Sequence, residues 1–247
     1  DLEETLYVLL CRNFGFKINN DAFELLAKST PYSILKKHAN QVLQLEALLY
    51  GNAGFLDDLF REKYPISLQN EFEFLKHKYM LIPLKKEIWK FSKTRPSNFP
   101  TIRISQLVCL IGKQQSLFHF IEKQPTITQL KNYFNVESNE YFKSHFKFDS
   151  PVTESAKHLG DLAFYNIVIN TIVPFLFFVS KQNCKEDMQE YAFDLLEQIP
   201  AEINTKTKAF TNLGVVPESA LETQAMIKLH DSYCSIKSCL NCHVAEY

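Results

Sequence analysis

The stretch Ser67-Leu-Gln-Asn-Glu-Phe-Glu-Phe-Leu-Lys-His-Lys-Tyr79 shows most plainly how this chain folds. Its apolar residues Leu68, Phe72, Leu75 and Tyr79 recur at intervals of four, three and four. Residues at these intervals lie on one face of an α-helix, because the helix has about 3.6 residues per turn. Charged and polar residues fill most of the positions between them, so the opposite face suits water. The stretch therefore predicts an amphipathic helix with one buried face.

Similar helical signals continue on both sides of this segment. On the N-terminal side, apolar runs end at Gly15, Pro31 and Gly51, which are residue types that commonly stop helices. On the C-terminal side we predict helices at 101–111, 116–123, from Thr126 or Thr128 to Phe134, at 188–199 and at 217–233. Residues 139–148 fit either a strand or a helix, and residues 149–160 are predicted to form a loop.

The composition supports the same fold class. The chain has 247 residues, with 21 Phe and 11 Tyr against only 6 Gly and 10 Pro. Few glycines and many bulky side chains suit long helices with aromatic packing, and they suit a turn-rich β-sandwich poorly. We predict one compact all-α, multi-helix domain over residues 1–247. It carries a cysteine-rich loop at its C-terminus, and the three prolines at 83, 96 and 100 predict a sub-boundary near 83–100.

One apolar run, Leu162–Val179, is nearly long enough to cross a bilayer. It contains Asn166, Asn170 and Pro174, and each amide side chain would need a hydrogen-bond partner within lipid. A buried core helix is the better interpretation, so we expect no membrane partner and a cytoplasmic protein. The net charge of −1 gives no whole-protein field that attracts polyanions.

A local basic segment, residues 84–103, offers a different kind of partner. Its candidate residues for binding nucleic acid or phosphate are Lys85, Lys86, Trp89, Lys90, Lys93, Arg95 and Arg103. Cations that contact phosphates, interleaved with aromatic faces that stack on bases, are the usual pairing in single-strand nucleic-acid grooves. For a run of charges the usual interpretation is a solvated basic face whose aromatic side chains point into the core. The alternative is weak binding of single-stranded nucleic acid.

Arg103 raises a separate question, because it falls in the first turn of a predicted helix. The helix dipole disfavours a cation at that end. A buried carboxylate or a bound phosphate would compensate the charge, and we expect an ordinary salt bridge.

The C-terminus concentrates metal-capable side chains in the pattern Cys234-x4-Cys239-x2-Cys242. Thiolates at this spacing can surround one soft cation, and a tetrahedral site needs a fourth ligand. Cys184 could supply it, or His230, which lies one helical turn before Cys234. We predict a structural zinc site, with an iron–sulfur cluster as the alternative. Reduced thiols or a single disulfide would explain the pattern without metal.

Four segments resemble an uncharacterised bacterial family, the domain of unknown function 2851. They are Glu4–Lys17, Leu45–Gly54, Arg95-Pro-Ser-Asn-Phe-Pro-Thr-Ile-Arg-Ile104 and Tyr233-Cys-Ser-Ile-Lys-Ser-Cys-Leu-Asn-Cys242. The resemblance implies that the chain is the C-terminal helical portion of a longer protein. It further implies a β-rich upstream region with clustered His, Asp and Glu, which would be the natural partner of this portion.

The sequence contains no phosphate-binding glycine loop, nucleophile elbow or zincin helix. With no catalytic constellation in the chain, enzyme activity stays an open question. We predict a helical scaffold or binding domain of a larger bacterial protein, stapled by the structural metal. The alternative is the helical half of a nucleic-acid-processing enzyme whose active site lies in the upstream region.

Overall fold

The computed structural model describes residues 1–92, 94–183, 185–242 and 244. Helices dominate these residues, and the predicted all-α class is confirmed. The chain divides into two compact units, Asp1–Thr171 and Ile172–Tyr247, which we call unit 1 and unit 2. The single domain over residues 1–247, with its sub-boundary near 83–100, stays a prediction.

Unit 1 is built from nine α-helices within its described residues. They are α1 (Leu2–Phe14), α2 (Asn20–Ser29), α3 (Tyr32–Lys36), α4 (Val42–Asn52), α5 (Lys63–Tyr79), α6 (Pro100–Ile111), α7 (Leu117–Ile121), α8 (Ile127–Phe134) and α9 (Asp161–Ile167). Short 3-10 turns occupy Lys86–Ile88, Pro96–Asn98 and Glu140–Lys143. The predicted amphipathic face of α5 is buried at Leu68, Phe72 and Leu75.

Gly51 does not end its helix, contrary to the expectation from the sequence. α4 continues to Asn52, and Gly51 lies where α4 crosses α5. A Cβ atom at this position would lie 2.1 Å from Cγ of Phe72. The glycine is therefore explained by the close approach of two helices and not by a turn.

The segment that fitted either a strand or a helix contains some of each. Residues Glu140–Lys143 form a 3-10 turn, and His145–Lys147 form the strand β1. β1 pairs antiparallel with β2 (Ser150–Pro151), which lies in the segment expected to be a loop. Asp149 has a φ of 53° at the turn, a left-handed conformation that Asp tolerates better than most residues.

The longest helical run begins with α9 and continues through a π-helical turn, Val168–Ile172, into α10 (Val173–Asn183). Within it, Asp161–Gln182 is long and apolar enough to cross a membrane by length and composition, although just over half of its most apolar window is buried. Asn170 donates a 3.0 Å hydrogen bond to the carbonyl of Asn166, and the Asn170 carbonyl accepts one of 2.9 Å from Asn13. The side-chain amide of Asn170 is thus partnered by a protein group, although the residue itself is exposed. The cytoplasmic location stays a prediction.

Unit 2 contains α10, α11 (Glu186–Gln198), α12 (Thr205–Thr211) and α13 (Ala220–Leu229). α13 leads into a π-helical turn, His230–Cys234, and a 3-10 turn, Cys239–Asn241. An isolated antiparallel bridge between Pro200 and Ser219 joins the connections on either side of α12.

Candidate binding cleft

The segment after α5 is fixed to the C-terminal end of α4 by hydrogen bonds. The backbone N–H of Leu84 donates to the Asn52 carbonyl at 2.8 Å, and the Trp89 indole N–H donates to the Ala53 carbonyl at 2.8 Å. Gly54, with a φ of +75°, passes so close that a Cβ atom would lie 2.3 Å from the Leu84 carbonyl oxygen. These contacts hold the basic segment against the core of unit 1.

A cavity of about 400 Å³ opens beside this segment, and we call it the Trp89 cleft. It is lined by Phe55, Asp58, Phe60, Lys86, Glu87, Trp89, Phe91, Thr101, Lys147, Phe148 and Ser150. Cavities that hold small organic ligands have similar volumes and a similar mixture of aromatic walls with a few polar groups.

The aromatic side chains of the cleft differ in how much surface they expose. Phe55 and Trp89 are only 3% and 5% exposed, and their rings lie 5.3 Å apart. Phe60, Phe91 and Phe148 are half-buried and leave part of each ring open to a ligand. The cleft therefore has a rigid aromatic base and three more accessible aromatic walls.

Charged side chains form the edge of the cleft. Lys86 pairs with Asp58, and both side chains are about half exposed. The Lys147 ammonium lies 4.5 Å from the ring centroid of Phe91 and 5.4 Å from that of Phe99, which are cation–π distances. Within the part of the chain that the structure describes, Lys147 makes no ion pair, so its charge is available to an anionic ligand.

A shallower groove of about 630 Å³ adjoins the cleft. It is lined by Gly54, Asp57, Asp58, Pro83, Leu84, Lys85, Lys86 and Glu87. Asp58, Lys86 and Glu87 belong to both linings, so the ion pair between Lys86 and Asp58 stands at the boundary of the two spaces.

The hairpin of β1 and β2, which supplies Lys147 and Phe148, is anchored to the residues just before α5. The Asp149 carboxylate accepts hydrogen bonds from the backbone N–H groups of Arg61 at 2.7 Å and Glu62 at 3.2 Å. The Glu62 carboxylate in turn accepts from the Tyr141 hydroxyl, and its second oxygen lies 3.1 Å from Nε2 of His145. This polar network fixes one wall of the cleft.

The structure brings part of the predicted basic set to the cleft and its neighbourhood. Lys86 and Trp89 line the cleft, Lys85 lines the groove, and Lys90 and Arg95 are exposed. Lys93 lies outside the described residues. Trp89 is held in the core by an edge contact with Phe23, at 5.1 Å between ring centroids, so it forms the base of the cleft instead of a free surface for stacking.

Sequence reasoning missed the residues that complete the cleft: Phe55, Phe60, Phe91 as a wall, Lys147 and Phe148. They come from connections far apart in the chain, and no short-range pattern joins them. The unusually high phenylalanine content was the one available signal.

Arg103 is buried in α6 and is only 5% exposed. Its guanidinium donates to the side-chain oxygens of Gln106 at 2.8 Å and Asn98 at 2.6 Å, and it stacks on the ring of Phe16 at 4.2 Å. Burial lowers the pKa of Arg103 to about 10. The salt bridge expected from the sequence is absent among the described residues, because no carboxylate lies within ion-pair distance of this side chain.

The predicted metal ligands lie in the last turns of unit 2. Cys234 and Cys239 are exposed, Cys242 is buried, and His230 Nδ1 lies 2.9 Å from the Asp231 carboxylate. Cys184 lies outside the described residues. Among the residues that the structure does describe, no group of three or more His, Cys, Asp or Glu is arranged to hold a metal ion. With one candidate ligand undescribed, the zinc or iron–sulfur site stays a prediction.

Comparison with known proteins gives one match. The model of a family described as protein of unknown function (DUF2851) matches residues 1–205, which include all of unit 1 and end before the terminal cysteines. No curated protein and no solved structure matches the chain. Because the matched residues make up most of the sequence and include the Arg95–Ile104 segment that carried the resemblance, the chain belongs to the DUF2851 family.

Proposed function

We propose that this chain is a helical binding domain of a larger bacterial protein, and that the Trp89 cleft holds its ligand. The observation that supports the proposal is the cavity itself, because five aromatic side chains and two lysines from three separate segments converge on it. A purely structural packing of these side chains would close the space, since protein interiors are packed about as densely as organic crystals.

Single-stranded nucleic acid is the ligand class that this lining favours. Every base offers a flat π-face that can stack on Phe60, Phe91 or Phe148, and each stacked base contributes about 1–3 kcal/mol of binding free energy. Lys147 at the edge can contact a phosphate, and Lys85, which lines the adjoining groove, is exposed and makes no ion pair in the described part of the chain. Asp58 and Glu87 stand at the same edge and limit how strongly a polyanion is attracted, so we expect weak binding.

The chain offers a direct measurement, because Trp89 is its single tryptophan. Short single-stranded DNA added at low salt should change the fluorescence of Trp89 as bases enter the cleft. Replacing Phe60 by Ala should weaken binding by roughly 10-fold or more, which corresponds to the loss of one stacked base. Phe74→Ala is the matched control, since Phe74 is an exposed phenylalanine of α5 that does not line the cleft.

The salt dependence tests the role of Lys147. Each neutralised phosphate of a single strand contributes a slope of about −0.7 in a plot of log K against log salt. Lys147→Ala should remove about one such contribution, whereas Lys123→Ala, an exposed lysine of equal charge elsewhere, should leave the slope unchanged. The absence of binding at low salt, or equal affinities for Phe60→Ala and the wild type, would remove nucleic acid as the ligand.

The second candidate, the helical half of a nucleic-acid-processing enzyme, uses the same cleft to hold the strand while the chemistry occurs in the upstream region. It differs in outcome: this chain alone should bind the strand without cutting it, and the longer protein should cut it.

A further inference from the structure

Two cations are buried in the same part of unit 1, and only one of them has all its donors satisfied. Lys157 is 4% exposed, and its ammonium donates to the backbone carbonyls of Phe142, Lys143 and Ser155. Arg103 is linked to Lys157 through Gln106, whose Nε2 donates to the Lys157 carbonyl at 2.8 Å. Three carbonyl acceptors match the three N–H donors of the Lys157 ammonium, so no donor of this cation is left without a hydrogen bond.

Arg103, by contrast, retains a buried donor without a partner. Its Nε–H has no hydrogen-bond acceptor, although the atom is shielded from solvent. A buried polar hydrogen without an acceptor is rare, and a buried guanidinium without an anion is more costly still. The amide oxygens of Gln106 and Asn98 carry only partial negative charge, so they compensate the Arg103 cation incompletely.

The position of Arg103 increases the local positive potential. α6 is twelve residues long and starts at Pro100, and Phe99 at its N-cap provides no side-chain acceptor. The helix dipole adds partial positive charge at this end. Pro100 has no N–H and the Arg103 backbone N–H donates to the Phe99 carbonyl, so the first-turn donors that remain are those of Thr101 and Ile102. The hydrogen bond from Arg103 to Asn98, which precedes α6, shows that the guanidinium reaches back towards the same end. An anion near the N-terminus of α6 would be attracted by both the helix dipole and the Arg103 guanidinium.

The backbone beside Arg103 is held in an unfavourable conformation. Phe16 and Lys17 have φ values of 43° and 72°, in the left-handed region that bulky residues seldom adopt. This conformation places the Phe16 ring under the guanidinium. Strained backbone is often found where a ligand is held. Phe16 and Asn98 are only half-buried, so an anion can approach from their side, where Lys17 and Arg95 are exposed.

We propose that Arg103, Asn98 and the N-terminus of α6 form a binding site for a phosphoryl oxyanion. Arginine presents several N–H donors in a planar arrangement that matches a phosphate, and a helix N-terminus supplies further donors. This site goes beyond the proposed function, because Arg103 does not line the Trp89 cleft and inorganic phosphate alone should occupy it.

Thermal unfolding tests the site, and the fluorescence of Trp89 reports on unit 1. The wild type, Arg103→Met and Lys123→Met are unfolded in chloride and in phosphate at equal ionic strength. At a phosphate concentration of about 100 Kd, the melting temperature of the wild type should rise by roughly 5–10 °C through binding to the folded state. Lys123→Met removes an exposed charge elsewhere, and it should retain this rise.

Arg103→Met should lose the specific rise and keep only the general stabilisation that phosphate gives to any folded protein. In chloride it should melt at the same temperature as the wild type or higher, because an uncompensated buried charge is gone. An equal phosphate response in Arg103→Met and the wild type would overturn the proposal.

Equilibrium dialysis of the wild type against inorganic phosphate keeps the proposal testable if Arg103→Met does not fold. One phosphate bound per chain, weakened at least about tenfold in Arg103→Lys, supports the site. No bound phosphate overturns it. Short single strands with and without a 5′-phosphate then distinguish the two sources of the phosphoryl group, free phosphate and nucleic acid. Displacement of bound inorganic phosphate by a strand would indicate nucleic acid, and no displacement by either strand would indicate free phosphate.

Discussion

Glu46 in α4 and Asn139 in the connection after α8 are 93 residues apart in sequence, and their side chains meet at 2.8 Å, with Asn139 Nδ2 donating to Glu46 Oε1. Glu46 is only 2% exposed. Burial raises the pKa of its carboxyl from the ordinary value of 4.5 to about 7. The Tyr64 hydroxyl and the Asn139 amide do not replace the water that a carboxylate would lose, so the neutral acid is favoured in the folded protein.

The stability of unit 1 should therefore decrease as the pH rises. Between pH 4.5 and 7 the folded state keeps the proton of Glu46 while the unfolded state has released it. The free energy of unfolding should fall by about 3 kcal/mol over this interval from Glu46 alone, since each unit of pKa difference corresponds to about 1.4 kcal/mol. Denaturant unfolding at a series of pH values, followed by the fluorescence of Trp89, measures this slope.

Glu46→Gln provides the control. The Gln oxygen can still accept from Asn139, and no proton is exchanged at this position. The variant should equal the wild type below pH 4.5 and exceed its stability at pH 8. A wild-type slope that persists in Glu46→Gln would assign the effect to other groups.

Gly51→Ala should destabilise unit 1 by at least about 2 kcal/mol, because the added methyl group would overlap the Phe72 ring and force α4 and α5 apart. Gly160→Ala is the control, since a Cβ atom there meets no heavy atom within 4 Å. Gly160 is the N-cap of α9, where Ala is less favourable than Gly, so its effect should stay within about 1 kcal/mol. Equal effects of the two substitutions would show that α4 and α5 do not pack as closely as described. Urea unfolding of the three proteins decides between these results.

The zinc site is a proposal that mass measurement under native conditions can test. If Cys234, Cys239 and Cys242 bind zinc together with Cys184 or His230, the intact chain should carry one zinc ion per molecule. Cys239→Ser should lose the ion, whereas Ser238→Ala in the same turn should keep it. Visible absorbance would instead indicate the iron–sulfur alternative.

A metal-free chain after incubation with zinc, with all three terminal thiols reacting freely with a thiol reagent, would contradict the site. Treatment with a chelator gives the supporting result: removal of a structural zinc should destabilise unit 2, which holds the terminal turns.

The sequence was sufficient for the helices whose signals are local, although it predicted neither α3 nor α12. The apolar spacing of α5 and the proline at the start of α6 are each readable within a few residues, and both helices form where expected. Gly51 misled the prediction because its role depends on Phe72, a residue of the next helix. A glycine that permits close packing cannot be told from a helix stop without its neighbour.

Only part of the binding cleft could be predicted, because the rest depends on contacts between residues far apart in the chain. Lys86 and Trp89 stand in one basic segment, whereas Phe60 and Lys147 approach from other parts of the chain. For Arg103, the sequence showed only that the cation stands at an unfavourable place in a helix. That no carboxylate partners it among the described residues could be seen only in the structure.

The ion pair between Lys86 and Asp58 separates the Trp89 cleft from the adjoining groove, so the length of the binding surface depends on whether this pair is intact. Exposed ion pairs of this kind contribute less than about 1 kcal/mol to stability, so little free energy is needed to break the pair between Lys86 and Asp58. A short ligand would fill the aromatic compartment alone. A longer strand whose phosphate competes with Asp58 for Lys86 would occupy the Trp89 cleft and the adjoining groove together. The same surface would then accommodate strands of several lengths without any movement of the helices.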